Sequence, residues 1–287
     1  MNKVLKYTLV ATAICLALPA QAHRAWLLPS ATVLSGEDPW ITVDAAVSND
    51  LFYFEHFPLR LAGIGEAAAK TETQNGRAPS PLLISAPDGT LVEGLNGKTG
   101  RYRTTFDVHL TQKGTYKLAV ASGRHMATYT DKGERARWMG ELKDLQANLP
   151  ASVEDLEVTQ GNSRMEVFVT SGNPSDSVFE LTGKGLELTP ITHPNDLYAG
   201  EAAEFAFSLD GKPAADMKVT IIPGGNRYRD ELGEMTMQTD ANGRIEITWP
   251  SAGMYWLEAE YDTKAGVTPP VTRRRASYSA TLEVLAL

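Results

Sequence analysis

Apolar and polar positions alternate with a period of two along most of the chain. The pattern is clear in Trp40-Ile41-Thr42-Val43, Leu82-Leu83-Ile84, Phe106 to Leu110, Tyr116 to Val120 and Met165 to Val169. It returns in Glu204 to Leu209, Lys218 to Ile222, Ile245 to Trp249, Tyr255 to Tyr261 and Ser279 to Leu285. Alternation puts every second side chain on one face, so each run predicts a short, half-buried strand. Turn formers punctuate the runs, among them Ser35-Gly36-Glu37-Asp38-Pro39, Pro87-Asp88-Gly89, Asp210-Gly211-Lys212-Pro213 and Asn242-Gly243. Strands at intervals of roughly 8–12 residues predict an all-β fold built of β-sandwiches. One interval differs. Glu134 to Leu149 carries Trp138, Leu142 and Leu145 at helical spacing, closed by Pro150, and predicts one short helical excursion. Glu55 to Pro81, rich in Ala, Gly and Pro, predicts long loops.

The first 22 residues read as a cleavable secretory signal. Lys3 and Lys6 supply the positive start, Tyr7 to Leu18 an apolar run too short to span a membrane, and Ala20-Gln21-Ala22 the small-x-small cleavage pattern. The expected compartment is the periplasm. Removing 22 of 287 residues leaves 265, and the formal charge moves from −8 to −10, with 25 basic against 35 acidic residues. The single cysteine, Cys15, leaves with the signal, so the mature chain can use neither disulfides nor thiolate ligands. The acidic balance argues against nucleic acid, whose phosphates require a basic surface, and is compatible with cations. No other stretch holds the ~20 apolar residues of a membrane helix. The expected organisation is a signal peptide at 1–22, a β-sandwich domain at 23–185 and an immunoglobulin- or prealbumin-like sandwich at 186–287.

Cleavage after Ala22 makes His23 the N-terminal residue. Its free α-amine, of pKa near ~8, and its imidazole can then chelate one ion through two nitrogens. A further histidine would complete a three-nitrogen, thiolate-free site of the kind that suits Cu(II), Ni(II) or Co(II). Two histidines compete to complete it. His56 lies among aromatics in Phe52-Tyr53-Phe54-Glu55-His56-Phe57, and His193 precedes Pro194, which holds it extended, with Asp196 three residues on as a ring partner or ligand. His125 and Met126 form a weaker candidate pair, and His109 falls on a solvated strand face. Gly224-Gly225-Asn226-Arg227-Tyr228-Arg229 reads as a loop offering Arg227, Tyr228 and Arg229 to an anion or a partner's carboxylates.

The start, His23-Arg24-Ala25-Trp26-Leu27-Leu28-Pro29-Ser30, resembles one family together with Gly183 to Gly200, Pro223 to Arg229, Thr239 to Gly243 and Ile247 to Leu257. This is the NikM-like family of bacterial periplasmic proteins, associated with cobalt or nickel uptake. The resemblance implies a transition metal ion as ligand and an inner- or outer-membrane transport component as partner. No G-x-S-x-G elbow, H-E-x-x-H pair or cysteine nucleophile is present, so the chain reads as a non-enzyme. The leading expectation is a metal-binding protein of uptake, delivery or homeostasis. A structural or interaction module of the cell envelope is the alternative, and a copper-dependent oxidative enzyme ranks third.

Overall fold

The computed structural model describes residues 23–65 and 78–287; the expected signal peptide and part of the Glu55–Pro81 loop region lie outside them. Nineteen strands occur among the described residues. The first half contains β1 (Arg24–Pro29), β2 (Val33–Leu34), β3 (Trp40–Ser48), β4 (Phe57–Pro58), β5 (Leu82–Ser85), β6 (Leu91–Val92), β7 (Leu95–Thr99), β8 (Thr104–His109), β9 (Gly114–Asp131), β10 (Glu134–Gly140) and β11 (Glu154–Ser171). The second half contains β12 (Leu186–Pro190), β13 (Ala202–Leu209), β14 (Lys212–Pro213), β15 (Lys218–Pro223), β16 (Met235–Gln238), β17 (Arg244–Thr248), β18 (Gly253–Thr263) and β19 (Arg273–Val284).

These strands form three sheets. A five-stranded sheet runs β1-β3-β8-β7 with β4 on β3, and a four-stranded sheet joins β12, β14 and β17 to β13. A ten-stranded sheet runs β16-β15-β18-β19-β11-β9-β5-β6, with β10 on β9 and β2 on β11. Each smaller sheet packs on one part of this long one. The first sandwich encloses Leu27, Val43, Phe106, Tyr116, Leu118 and Val167; the second encloses Phe205, Phe207, Ile221, Trp249, Leu257 and Tyr278. The two sandwiches therefore share a sheet. The seam is the parallel pairing of β11 with β19, from Thr159↔Arg273 to Val167↔Thr281.

The alternating runs became strands because one face of each is buried. β8 alternates buried and half-buried residues without exception, and β17 alternates exposed and buried. At the Asn242-Gly243 turn, Gly243 sits at φ +75°, and a Cβ there would lie 2.4 Å from the Phe207 carbonyl oxygen. Only glycine fits that approach.

The helical reading of Glu134–Leu149 needs correction in extent. Residues 134–140 are β10, which returns antiparallel along β9 from Glu134↔Asp131 to Gly140↔His125. Helix is confined to a 3₁₀ turn at Leu142–Asp144 and one turn, α1 (Leu145–Asn148). The reason is the tight turn at Lys132 and Gly133, both at positive φ (52° and 86°), which sends the chain back as a hairpin. Leu145 and Trp138 still reach one apolar cluster, with Tyr129, Val158 and Val271.

Candidate functional site

Strand β1 begins one residue after His23, and its anchoring is strong. Trp26 and Leu27 are fully buried. The Trp26 indole N–H donates to Ser48 Oγ at 3.0 Å, and Trp256 Nε1 donates to the Ala25 carbonyl at 3.2 Å. Trp26, Ala46, Leu51, Ile222 and Trp256 form a small cluster to which both sandwiches contribute, with Phe52 and Phe54 packed against it. Both phenylalanine rings lie within 5.5 Å of Trp26. The Arg24 guanidinium covers Trp256 at 5.5 Å from the ring centroid.

His56 comes from the loop between β3 and β4. Because Arg24 and Phe57 are held on β3 at the adjacent positions Ser48 and Val47, His23 and His56 both emerge at the end of that strand. Their rings stack with centroids 3.9 Å apart and planes inclined by 19°, and Phe57 borders both. Both residues are exposed, and neither imidazole has a hydrogen-bond partner among the described residues. Of the two sequence candidates for a second imidazole, the fold brings His56 to His23.

The loop that carries His56 is fixed from two sides. Glu55 Oε1 accepts the backbone N–H groups of Asn49 and Asp50, both at 3.1 Å. From the second sandwich, Asn226 Oδ1 accepts the Leu51 N–H at 3.0 Å, and its Nδ2 donates to Asp50 Oδ1 at 2.9 Å. The Arg227 guanidinium lies over the Tyr53 ring at 4.0 Å, and a Cβ on Gly224 would touch the Phe52 ring at 3.0 Å. The Gly224–Arg229 loop therefore clamps the aromatic loop. Arg229 spends its donors on the Pro223, Gly224, Glu231 and Leu232 carbonyls, while Tyr228 remains 85% exposed. Asn226 escaped the sequence reading because its partner is 175 residues away. A polar residue between two glycines and two arginines was the one available signal.

His193 serves a different place. Its Nδ1 accepts the Asn195 N–H at 3.1 Å, which leaves the proton on Nε2, 3.0 Å from Thr115 Oγ1. Asn195 in turn accepts from Thr170 Oγ1 and donates to the Phe168 carbonyl, tying the connector to the shared sheet. Burial lowers the His193 pKa, against the charges of Asp176 and Asp196 and a Ser175 backbone hydrogen bond. The exposed Asp196 holds the turn through its backbone N–H on the His193 carbonyl. Both ring nitrogens are thus committed.

The remaining candidates separate as well. His109 lies 2.5 Å from Asp38 Oδ1 and stacks flat on Trp40. His125 and Met126 are consecutive on β9 and project to opposite faces, His125 into a cleft between the sandwiches. Among the described residues, no group of three or more His, Cys, Asp or Glu side chains is arranged to hold a metal ion. No helix among them is long and apolar enough to cross a membrane.

Comparisons with known proteins add the following. Among solved structures, the D0-D1 domain of Intimin is 12% identical, over 90% of this chain and 97% of that one, at a TM-score of 0.21. Escherichia coli alpha-2-macroglobulin activated by porcine elastase is 9% identical, over 90% of this chain and 31% of that one, at 0.19. No curated protein matches the chain. A family model described as "Domain of unknown function (DUF4198)" spans residues 20–263, most of the chain, and the protein belongs to that family.

Proposed function

We propose that this protein is a periplasmic transition-metal-binding protein whose site is the mature N-terminus. His23 supplies its α-amine and imidazole, and His56 supplies a third nitrogen. The observation that carries this reading is the His23–His56 pair: two stacked imidazoles with centroids 3.9 Å apart and no hydrogen-bond partner among the described residues. The stack holds both side chains beside one another at the chain's first residue, and rotation of the exposed rings out of it turns their nitrogens toward one ion, each at about 2 Å. The other donor is the α-amine that signal cleavage frees. Nitrogen donors without thiolates favour Cu(II), then Ni(II) or Co(II). The NikM-like resemblance supports uptake, delivery or homeostasis as the role, with a membrane transport component as recipient or donor.

The test is metal titration of protein whose first residue is His23. One equivalent of Cu(II), Ni(II) or Co(II) should bind tightly. A Gly-Ser extension ahead of His23 and the His56→Ala substitution should each weaken binding by ~10-fold or more, and His193→Ala should leave it unchanged. An extended protein that binds as tightly as the native one would overturn the N-terminal chelate.

A further inference from the structure

The His23 and His56 rings are exposed, stacked on each other and bordered by Phe57. One stands at the start of a strand and the other in a loop, places that are ordinarily the most mobile in a fold. Their alignment therefore depends on what holds the backbone beneath each ring.

The residue that follows His23 and the residue that precedes His56 carry opposite charges, and both reach the same third residue. Arg24 Nη1 donates to the Asn49 carbonyl at 3.4 Å, and Glu55 Oε1 accepts the Asn49 N–H at 3.1 Å. Asn49 is the first residue beyond β3. Because Arg24 pairs with Ser48 at the end of the ladder, the antiparallel register carries Asn49 alongside His23. The same Glu55 oxygen accepts the Asp50 N–H at 3.1 Å, so the carboxylate closes the loop back onto its own start. Neither charge is spent on an ion pair: Glu55 bonds only these two N–H groups, and Arg24 otherwise covers the Trp256 ring. Hydrogen bonds from charged groups are the stronger kind, and the longer contact at Arg24 marks it as the weaker arm.

We propose that Arg24 and Glu55 are the positioning residues of the histidine pair. Acting on Asn49 from its two sides, they fix the start of β1 and the His56 loop to one point and so set the distance between the rings. That this alignment serves metal binding rests on the function proposed above; the bracing of the rings does not.

The test uses the full chain beginning at His23, with labelled histidine. The metal-free native protein should give a nuclear Overhauser cross-peak between the ring protons of His23 and His56. Glu55→Ala should lose that cross-peak, weaken Cu(II) binding by ~10-fold and change the electron paramagnetic resonance spectrum of the one-equivalent complex. Glu55→Gln, whose amide oxygen still accepts both N–H groups, should restore most of the cross-peak and of the affinity. Arg24→Met keeps an apolar stem on Trp256 but has no donor for Asn49, and should weaken the cross-peak to a smaller degree. Combining it with Glu55→Ala should add little, because the tie is already broken. A Glu55→Ala protein that melts lower yet keeps its cross-peak would show a merely structural role and overturn the proposal, as would Glu55→Gln failing as completely as Glu55→Ala. Native protein that gives the cross-peak but binds no Cu(II) would sink the metal reading alone, and the loss of the cross-peak in Glu55→Ala would still support the bracing.

Discussion

Replacing Glu258 with glutamine should stabilise the protein at neutral pH and leave it unchanged in acid. Glu258 lies on β18 between Thr220 of β15 and Ser279 of β19, on the face crossed by Arg24. Burial pushes its carboxyl up from an ordinary 4.5 to about 7; Glu260 adds to this, and Arg24 and Lys218 oppose it. The sign follows from which state holds the proton. Below pH 4.5 both folded and unfolded chains are protonated, and the group is neutral to stability. Between 4.5 and 7 the unfolded chain gives up the proton first, so stability falls as pH rises, by ~1.4 kcal/mol per pH unit. Above 7 both are ionised, and a penalty of about 3 kcal/mol persists. Glutamine removes it. Urea unfolding of the native protein and Glu258→Gln should therefore give free energies that coincide near pH 4.5 and separate by ~3 kcal/mol at pH 8. His193, whose pKa burial lowers, acts oppositely, its contribution being lost as pH falls below its unfolded value near 6.5. It is common to both proteins and cancels in the difference. A difference that stays flat from pH 4.5 to 8 would refute the assignment of Glu258 as a buried, uncompensated carboxyl.

Two further substitutions probe how the sandwiches are joined. Asn226→Ala removes the acceptor of the buried Leu51 N–H and should cost ~1–3 kcal/mol in urea unfolding. It should also weaken Cu(II) binding several-fold without altering either histidine, because the His56 loop loses its clamp. Arg164→Met leaves Glu166 and Glu187, each with about 5% of its side chain exposed, as two carboxylates without their shared cation. A loss of ~3–5 kcal/mol is expected, and the melting temperature should fall by roughly 10 °C. A drop below 1 kcal/mol would show that the hydrogen bonds from Tyr278 to Glu166 and from Thr182 and Gly183 to Glu187 suffice.

The strands were legible because their signal is local. Burying one face of Thr104–His109 or Arg244–Thr248 requires alternation within the segment itself, and that alternation stands in the sequence. Glu134–Gly140 misled because Trp138, Leu142 and Leu145 have helical spacing by coincidence. Trp138 reaches the apolar cluster from a strand and Leu145 from a single helical turn. The signal that decided the matter was two residues long, Lys132-Gly133, and lay outside the apolar pattern. The shared sheet had no local signature at all. β11 and β19 pair over 100 residues apart, and nothing in either strand specifies a parallel neighbour from the other half of the chain.

The candidate site divides the same way. His23 stands out in the sequence because the expected cleavage pattern would make it the first residue of the mature chain, which is local information. Its pairing with His56 was one of two open choices, and hydrogen bonding separates them: His193 has both nitrogens in use, and His56 has neither. In sequence, the Gly224–Arg229 loop offers two arginines and an aromatic between turns, which predicts a surface for an anion or a partner's carboxylates. In the structure Arg229 closes its own loop, the buried Asn226 faces inward to the loop that carries His56, and the exposed Arg227 lies over that loop's Tyr53 ring. It follows that the N-terminal strand and the second sandwich are parts of one device. Trp256 and Ile222 help bury Trp26, and Asn226 orders the approach to His56, so both histidines depend on residues more than 160 positions away. A shared sheet serves this purpose better than a flexible linker. It holds the two sandwiches in one register, which keeps Trp256 on the strand that follows His23 and Asn226 on the loop that leads to His56.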